Sequence, residues 1–166
     1  MNRRIYLKKI QPHDFEAFYA MVSNETIMAQ ITERALTKEE ALRKFNELLR
    51  NSDLHNSFGS YMVLEVKDSS LLGSAKLEIT PENQQEAELG FMLKPEFWGK
   101  GFGTEIAEIL VEIAIKDPQL KRVYAIIDPD NAASRKILIK LGFTSEKVSE
   151  IDGLPSEIFG MEVSTG

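Results

Sequence analysis

The stretch from Glu86 to Thr104, EAELGFMLKPEFWGKGFGT, restricts the folds open to this chain more than any other. It reads as a strand up to Leu93, a short loop holding Gly99, Gly101 and Gly103, and the start of a helix. Glycines at this spacing let the main chain come close to a ligand with no Cβ in the way. The helix that follows turns its unpaired N–H groups and the positive end of its dipole back at the loop. Together these features make a seat for a pyrophosphate group. The helix after the loop must also return the chain to a sheet, because Arg122 to Ile127 is a further strand with little polarity. A strand, a crossover helix and a strand imply a parallel pair with a right-handed connection.

The remaining strands are expected to be mostly antiparallel. Ile5 to Ile10 is a strand, and Pro12 suits the first turn of a helix that places Phe15, Phe18, Tyr19 and Val22 on one apolar face. A loop is expected from Asn24 to Leu36. Thr37-Lys-Glu-Glu40 is a capping box that opens a second helix, with Ala41, Phe45, Leu48 and Leu49 on one face and a polar end from Asn51 to Asn56. Tyr61 to Val66 and Leu71 to Ile79 form a hairpin about Lys67-Asp-Ser-Ser70, and Pro81 to Gln85 turns the chain into the Glu86 strand. After the glycine loop, Ile106, Ile109, Leu110 and Ile113 share a helix face opposite Glu105, Glu108 and Glu112. Pro118 stops that helix. Asp128-Pro-Asp-Asn131 caps a further helix that ends at Gly142. Phe143 starts a strand, Asp152-Gly-Leu-Pro155 turns it, and Glu157 to Val163 closes the sheet. The expectation is a single α/β (α+β) domain over residues 1–166. It has a mixed, mostly antiparallel sheet of about seven strands and four helices, with helices on both faces.

Three blocks, in order, carry a family resemblance over nearly the whole length. They are Glu88-Leu-Gly-Phe-Met-Leu93, the loop Trp98-Gly-Lys-Gly101-Phe-Gly103, and Asn131-Ala-Ala-Ser134-Arg-Lys-Ile-Leu-Ile-Lys-Leu-Gly142-Phe143. With them the chain resembles the GNAT superfamily of N-acetyltransferases. Its loop is similar to the family's Arg/Gln-x-x-Gly-x-Gly/Ala, with Trp98 in the first place. The Trp-Gly-Lys-Gly form and Leu138 look most like the branch that includes ribosomal-protein N-terminal acetyltransferases and many small-molecule acetyltransferases. The resemblance implies that the central parallel strands splay apart. It further implies acetyl-CoA as co-substrate, with no metal, and a primary amine, on a protein N-terminus or a small molecule, as acceptor. Dimers are frequent in the family, which leaves a homodimer open.

An amine that attacks a thioester must lose a proton, and free amines have pKa values of about 8 to 10, so a general base helps at neutral pH. Glu88 is the candidate base. On strict alternation Glu86, Glu88 and Gly90 share one strand face and Ala87, Leu89 and Phe91 the other, which should pack on the core. The alternative is a solvated carboxylate, the reading given to Glu86. Glu78 on the preceding strand is a weaker candidate. Gly90 is expected to mark a bulge or splay, with an oxyanion-binding N–H close by. The resemblance implies that the main chain of Met92 and Leu93 pairs with the pantetheine amides. It also implies that the phosphates meet N–H groups of Gly99, Lys100, Gly101, Phe102, Gly103 and Thr104, beside Trp98. Asn131 resembles the family's cofactor-side asparagine and can equally serve as a helix N-cap. Ser134, one turn on, could reach the thiol. Where many family members carry a tyrosine acid, this chain has Leu138, so the acid is left to Ser134 or water. His55 could line the substrate mouth, His13 reads as a surface residue, and Met28, Ile31 and Glu33 could touch substrate.

Other functions are disfavoured. The chain has no cysteine, which rules out disulfides, thiolate metal sites and cysteine nucleophiles. The net charge of −6 argues against nucleic acid. No apolar run approaches the ~20 residues of a membrane span, and the N-terminus shows no apolar signal segment, so a cytoplasmic location is expected. No Gly-x-x-x-x-Gly-Lys-Ser/Thr is present, and the glycine loop follows the fourth strand of a meander, unlike a dinucleotide-binding unit. A non-catalytic acyl-CoA-binding or sensing domain remains the alternative.

Overall fold

A computed structural model describes residues 3–29, 31 and 34–163. The chain runs through β1 (Ile5–Lys9), a short 3-10 turn at Pro12–Asp14, α1 (Phe15–Val22), α2 (Glu25–Met28), α3 (Lys38–Ser52) and the hairpin strands β2 (Gly59–Glu65) and β3 (Leu71–Thr80). It continues through β4 (Asn83–Leu93), a 3-10 turn at Pro95–Phe97, α4 (Phe102–Ile115), β5 (Arg122–Ile127), α5 (Ala132–Lys140), β6 (Thr144–Ile151) and β7 (Leu154–Glu162). The strands form one sheet in the order β1-β2-β3-β4-β5-β7-β6. Every neighbouring pair is antiparallel except β4 and β5. This is the mixed seven-stranded sheet with one central parallel pair that the sequence led us to expect.

Alternation on the strands divides the core in two. On β2, Tyr61 and Val63 pack with Leu77, Ala87, Leu89, Ile106 and Leu110 beneath α4, whereas Met62 packs with Phe18, Val22, Phe45 and Leu48 beneath α1 and α3. Helices therefore cover both faces. The polar side of α4 is not simply solvated. Glu108 and Glu112 pair with Arg3, and Glu105 pairs with Arg4 at 2.9 Å.

Two local expectations are corrected. The segment from Asn24 to Leu36 is not all loop, since the Asn24 side chain accepts from Ile27 N–H and nucleates the one-turn α2. Glu33 lies outside the described residues. The capping box at Thr37 and Glu40 opens α3 as expected. The helix ends at Ser52, within the polar stretch expected to stop it, and Asn51 and Ser52 are themselves buried: Asn51 Nδ2 donates to Glu78, and Ser52 Oγ accepts from Ser60 N–H. Finally, Gly90 marks no bulge, although it does lie at the splay, just past the last β4–β5 pair at Glu88↔Tyr124. The β3–β4 register runs unbroken from Gly73↔Leu93 to Glu78↔Glu88, and the irregularity comes later, between Glu78 and Thr80.

A buried carboxylate fixes α5 to the last hairpin. Glu157 on β7 is only 2% exposed. It accepts from Ser145 Oγ at 2.6 Å and from the Arg135 guanidinium. The Ser145 hydroxyl first, and the Arg135 charge after it, hold its carboxyl below the usual carboxylate range against the opposing effect of burial. A carboxylate lowered on folding stabilises the fold above its unfolded pKa of about 4.3, and that stabilisation is lost as pH falls through the lower folded value. Urea midpoints measured from neutral pH down to about pH 3 should therefore fall less steeply for Glu157→Gln than for the parent protein. Arg135→Ala should cost about 1–3 kcal/mol at neutral pH, because it removes one of the two groups that satisfy Glu157.

Candidate active site

The site begins where the parallel ladder stops. β4 and β5 pair at Glu86↔Arg122, Ala87↔Val123 and Glu88↔Tyr124, and no further. Beyond Glu88 the two strands part, and a cavity of about 600 Å³ opens between them. Glu88 to Met92 line it from β4, and Ala125 to Asp128, Asn131, Ser134 and Leu138 from β5 and α5. Phe18, Val22, Met28, Leu48 and Met62 form an apolar wall on the α1–α3 side, and the β6–β7 turn closes the opposite side.

Hydrogen bonding shows which main-chain groups of β4 face the gap. Lys94 N–H donates to Leu72 C=O, and Lys121 N–H donates to Gln85 C=O, both at 2.8 Å. Successive residues of a strand turn their N–H and C=O to alternate neighbours. Gly90 and Met92 thus direct theirs at Lys76 and Ser74 on β3, while Phe91 and Leu93 direct theirs toward the β5 side, past the end of the ladder. Leu93 C=O accepts from Trp98 Nε1 at 2.9 Å. The expectation for Met92 is therefore corrected: its backbone groups belong to the sheet, and Phe91 takes its place at the open edge. The same register removes Gly90 N–H as an anion donor.

Gly99 and Gly101 have φ of 73° and 85°, in the left-handed region that favours glycine. Gly101 is the N-cap of α4, which leaves the N–H groups of Phe102, Gly103 and Thr104 in the first turn without intrahelical acceptors. A Cβ on Gly99 would meet nothing within 4 Å. Gly103 differs, because its Cβ would lie 3.1 Å from Phe91 and 3.2 Å from Ile137, so this glycine serves close packing of α4 on β4 and α5. The Phe102 side chain is buried in the core, with the Arg4 guanidinium 4.1 Å above its ring. Arg4 also donates to Lys100 C=O at 3.1 Å and pairs with Glu105, so the residue just before β1 braces the loop. Trp98 is 49% exposed and ties the loop to the end of β4 through its indole N–H. None of Trp98 to Thr104 lines the cavity between the strands.

Glu88 lies at the mouth of the gap, half-buried, with Lys76 Nζ 3.3 Å from its Oε2. Glu86 is not merely solvated, since Arg122 holds it at 2.7 Å. Glu78 is buried, bonded to Asn51 at 2.9 Å and directly opposite Glu88. Asn131 caps α5 by accepting from Ser134 N–H at 3.2 Å, and it also lines the cavity. The Ser134 hydroxyl lines the cavity with no hydrogen-bond partner among the described residues. Leu138 is 2% exposed and closes the cavity floor. Met28 and Ile31 line the cavity, whereas His55 does not. His55 stacks on Phe58 and bonds to Asp117 at 2.6 Å, which makes it a brace between the start of β2 and the end of α4. His13 is exposed beside Asp14. Among the described residues no group of three or more acidic, histidine or cysteine side chains could hold a metal ion. No helix there is long and apolar enough to cross a membrane.

Sequence reasoning missed Arg4, Lys76 and Tyr124. Tyr124 neighbours Glu88 in the ladder, and burial first, then the charges of Glu88, Glu86 and Glu78, push its phenol pKa up, so it stays an O–H donor. Alternation along β5 places Arg122, Tyr124 and Ile126 on one face, but only the β4–β5 register brings that face beside Glu88.

The family described as an acetyltransferase (GNAT) domain matches residues 4–144. An uncharacterized N-acetyltransferase of Bacillus subtilis, YoaA, is 26% identical over 87% of this chain and 82% of its own length. The spermidine N(1)-acetyltransferase of Escherichia coli K12 is 25% identical over 86% of this chain and 74% of its own length. The fold matches that of the Vibrio cholerae spermidine N-acetyltransferase solved in complex with CoA and spermine, with a TM-score of 0.79. The identity there is 18%, covering 98% of this chain and 97% of that one.

The glycines differ in what they do, and substitution should separate them. Gly99→Ala should cost about 1–2 kcal/mol from backbone strain alone. Gly103→Ala should be destabilising through contact with Phe91 and Ile137, and Ile137→Val should recover part of that loss while leaving the Gly99→Ala loss unchanged. Urea midpoints of the single and double variants measure both.

Proposed function

The chain belongs to the GNAT acetyltransferase family, and from that premise we propose that it carries an acetyl group from acetyl-CoA to a primary amine by direct attack on the thioester. The observation that carries this reading is the parting of β4 from β5 just past Glu88, beside a glycine-lined helix N-terminus. The thioester supplies an activated acetyl carbon, and the residues of this chain do the rest. N–H groups from Gly99 to Thr104 hold the pyrophosphate, in a loop whose outer face at Gly99 is open. The outward backbone groups of Phe91, with Leu93 N–H, pair with the pantetheine arm as a further strand would. Phe91 N–H is also the donor nearest the reacting carbonyl.

Glu88 takes the proton of the attacking amine, and Ser134 or a water molecule supplies one to the leaving thiol. Leu138 offers none. Asn131 caps the helix that presents Ser134. The apolar wall of Phe18, Val22, Met28, Leu48 and Met62 supports an acceptor whose amine is carried on an apolar body. The spermidine acetyltransferases among the relatives make a polyamine the second class to test. A protein N-terminus, the substrate of the ribosomal branch, rests on the Trp98-Gly-Lys-Gly101 form and Leu138 alone. We read residues 1–166 as one such domain working in the cytoplasm, with a homodimer compatible with the reading.

The test is thiol release from acetyl-CoA with phenethylamine, spermidine and a tetrapeptide bearing a free N-terminus. Turnover of at least one is expected, and CoA binding without turnover of any would overturn the reading. Glu88→Gln should lower kcat by about 100-fold between about pH 6 and 9. Gly101→Val should abolish CoA binding in calorimetry through loss of the left-handed loop conformation.

A further inference from the structure

Glu78 and Glu88 stand directly opposite each other on β3 and β4, on the same face of the sheet. Like charges so placed repel. Lys76 resolves the conflict. Its Nζ is 3.3 Å from Glu88 Oε2 and 3.9 Å from Glu78 Oε1, so one ammonium bridges both carboxylates. Glu78, 6% exposed, is fixed from behind by Asn51 Nδ2, which donates to its other oxygen at 2.9 Å. Lys76 is also the residue opposite Gly90, and its stem crosses that bare position: a Cβ on Gly90 would lie 3.1 Å from Lys76 Cε. Gly90 therefore provides the track along which the lysine reaches Glu88.

The other groups on this face leave Lys76 without a substitute. Glu86 is bonded to Arg122, whose second partner is Glu146, and Tyr124 carries no charge to offer Glu88. Among the described residues Lys76 is the one cation paired with Glu88. Its nearest approach is to Oε2, and among the described residues no hydrogen bond reaches Oε1.

We propose that Lys76 is a positioning residue for acetyl transfer. Its ammonium, anchored by Glu78 and Asn51, holds the Glu88 carboxylate at the mouth of the gap with one oxygen turned to the incoming amine. Without that ammonium, Glu88 would face Glu78 unbridged and rotate away from the gap. The inference rests on the reading of Glu88 as proton acceptor.

A double-mutant cycle tests it, read as thiol release from acetyl-CoA with phenethylamine, spermidine and the free-N-terminal tetrapeptide. Lys76→Met should lower kcat about 10- to 100-fold while KM for acetyl-CoA stays within about twofold, and Lys76→Arg should restore most of the rate. In a Glu88→Gln background no carboxylate remains to be positioned. There Lys76→Met should change kcat by less than about twofold. The full Lys76→Met loss in that background would overturn the inference and leave the Glu88 reading intact. Unchanged turnover of Glu88→Gln would overturn both. If Lys76→Met fails to fold, Gly90→Ala serves instead, because it displaces the lysine stem and keeps its charge. It should slow the parent enzyme and not the Glu88→Gln variant, and equal slowing of both would overturn the proposal.

Discussion

The ladder between β4 and β5 ends after three residue pairs, and the active site depends on that ending. Two parallel strands at the centre of a sheet would ordinarily satisfy each other's main-chain groups along their whole length. Here β4 runs on to Leu93 while β5 turns away, so polar groups from the middle of the sheet are left facing a cavity. Such groups are costly to bury unpaired, and a ligand that carries its own amides can satisfy them as a strand would. The gap is held open from both sides. β4 is paired on its far edge to β3, and β5 to β7, so neither strand is free to close on the other.

The elements around the gap then divide the chemistry by face. Odd-numbered β4 residues pack Ala87, Leu89 and Phe91 toward α4, whose N-terminus follows the glycine loop. Even-numbered residues put Glu86, Glu88 and Gly90 on the face shared with Lys76, Glu78, Arg122 and Tyr124. The glycine-lined helix N-terminus and the Glu88 carboxylate are thereby kept on opposite sides of one strand, and in the proposed reading this separates the anionic cofactor from the carboxylate. The bracing residues follow the same division. Arg4 fixes the loop on one side, while Asn51 and Lys76 fix the carboxylates on the other.

Much of the fold was legible along the chain. The Thr37 capping box, the Asn131 cap, the left-handed Gly142 and the apolar β5 strand are local signals, and each depends on residues within a few positions of one another. The glycine loop was legible for the same reason. What was misread depends on neighbours that are distant in sequence. Met92 and Phe91 differ only in which adjacent strand each faces, and a one-residue change in register exchanges them. Gly90 was open to a bulge or a splay, and only the strand register, which ends the β4–β5 ladder at Glu88 and lays Lys76 over Gly90, decides for the splay. Gly103 read only as a loop glycine because the chain does not reveal that Phe91 and Ile137 converge on its Cα. His55 looked available until Asp117 and Phe58 enclosed it.

The sequence by itself therefore determined the parts: a strand bearing a carboxylate, a glycine-lined helix N-terminus and a capped helix bearing Ser134. These are matters of local backbone preference and of period, which a chain carries wherever it goes. The tertiary structure alone decided the working arrangement. It set which oxygen of Glu88 is held and by what, which backbone groups of β4 face the gap, and that the gap exists at all. Each of these follows from strand register and from where the β4–β5 ladder stops, and register is fixed by packing among segments far apart in the chain.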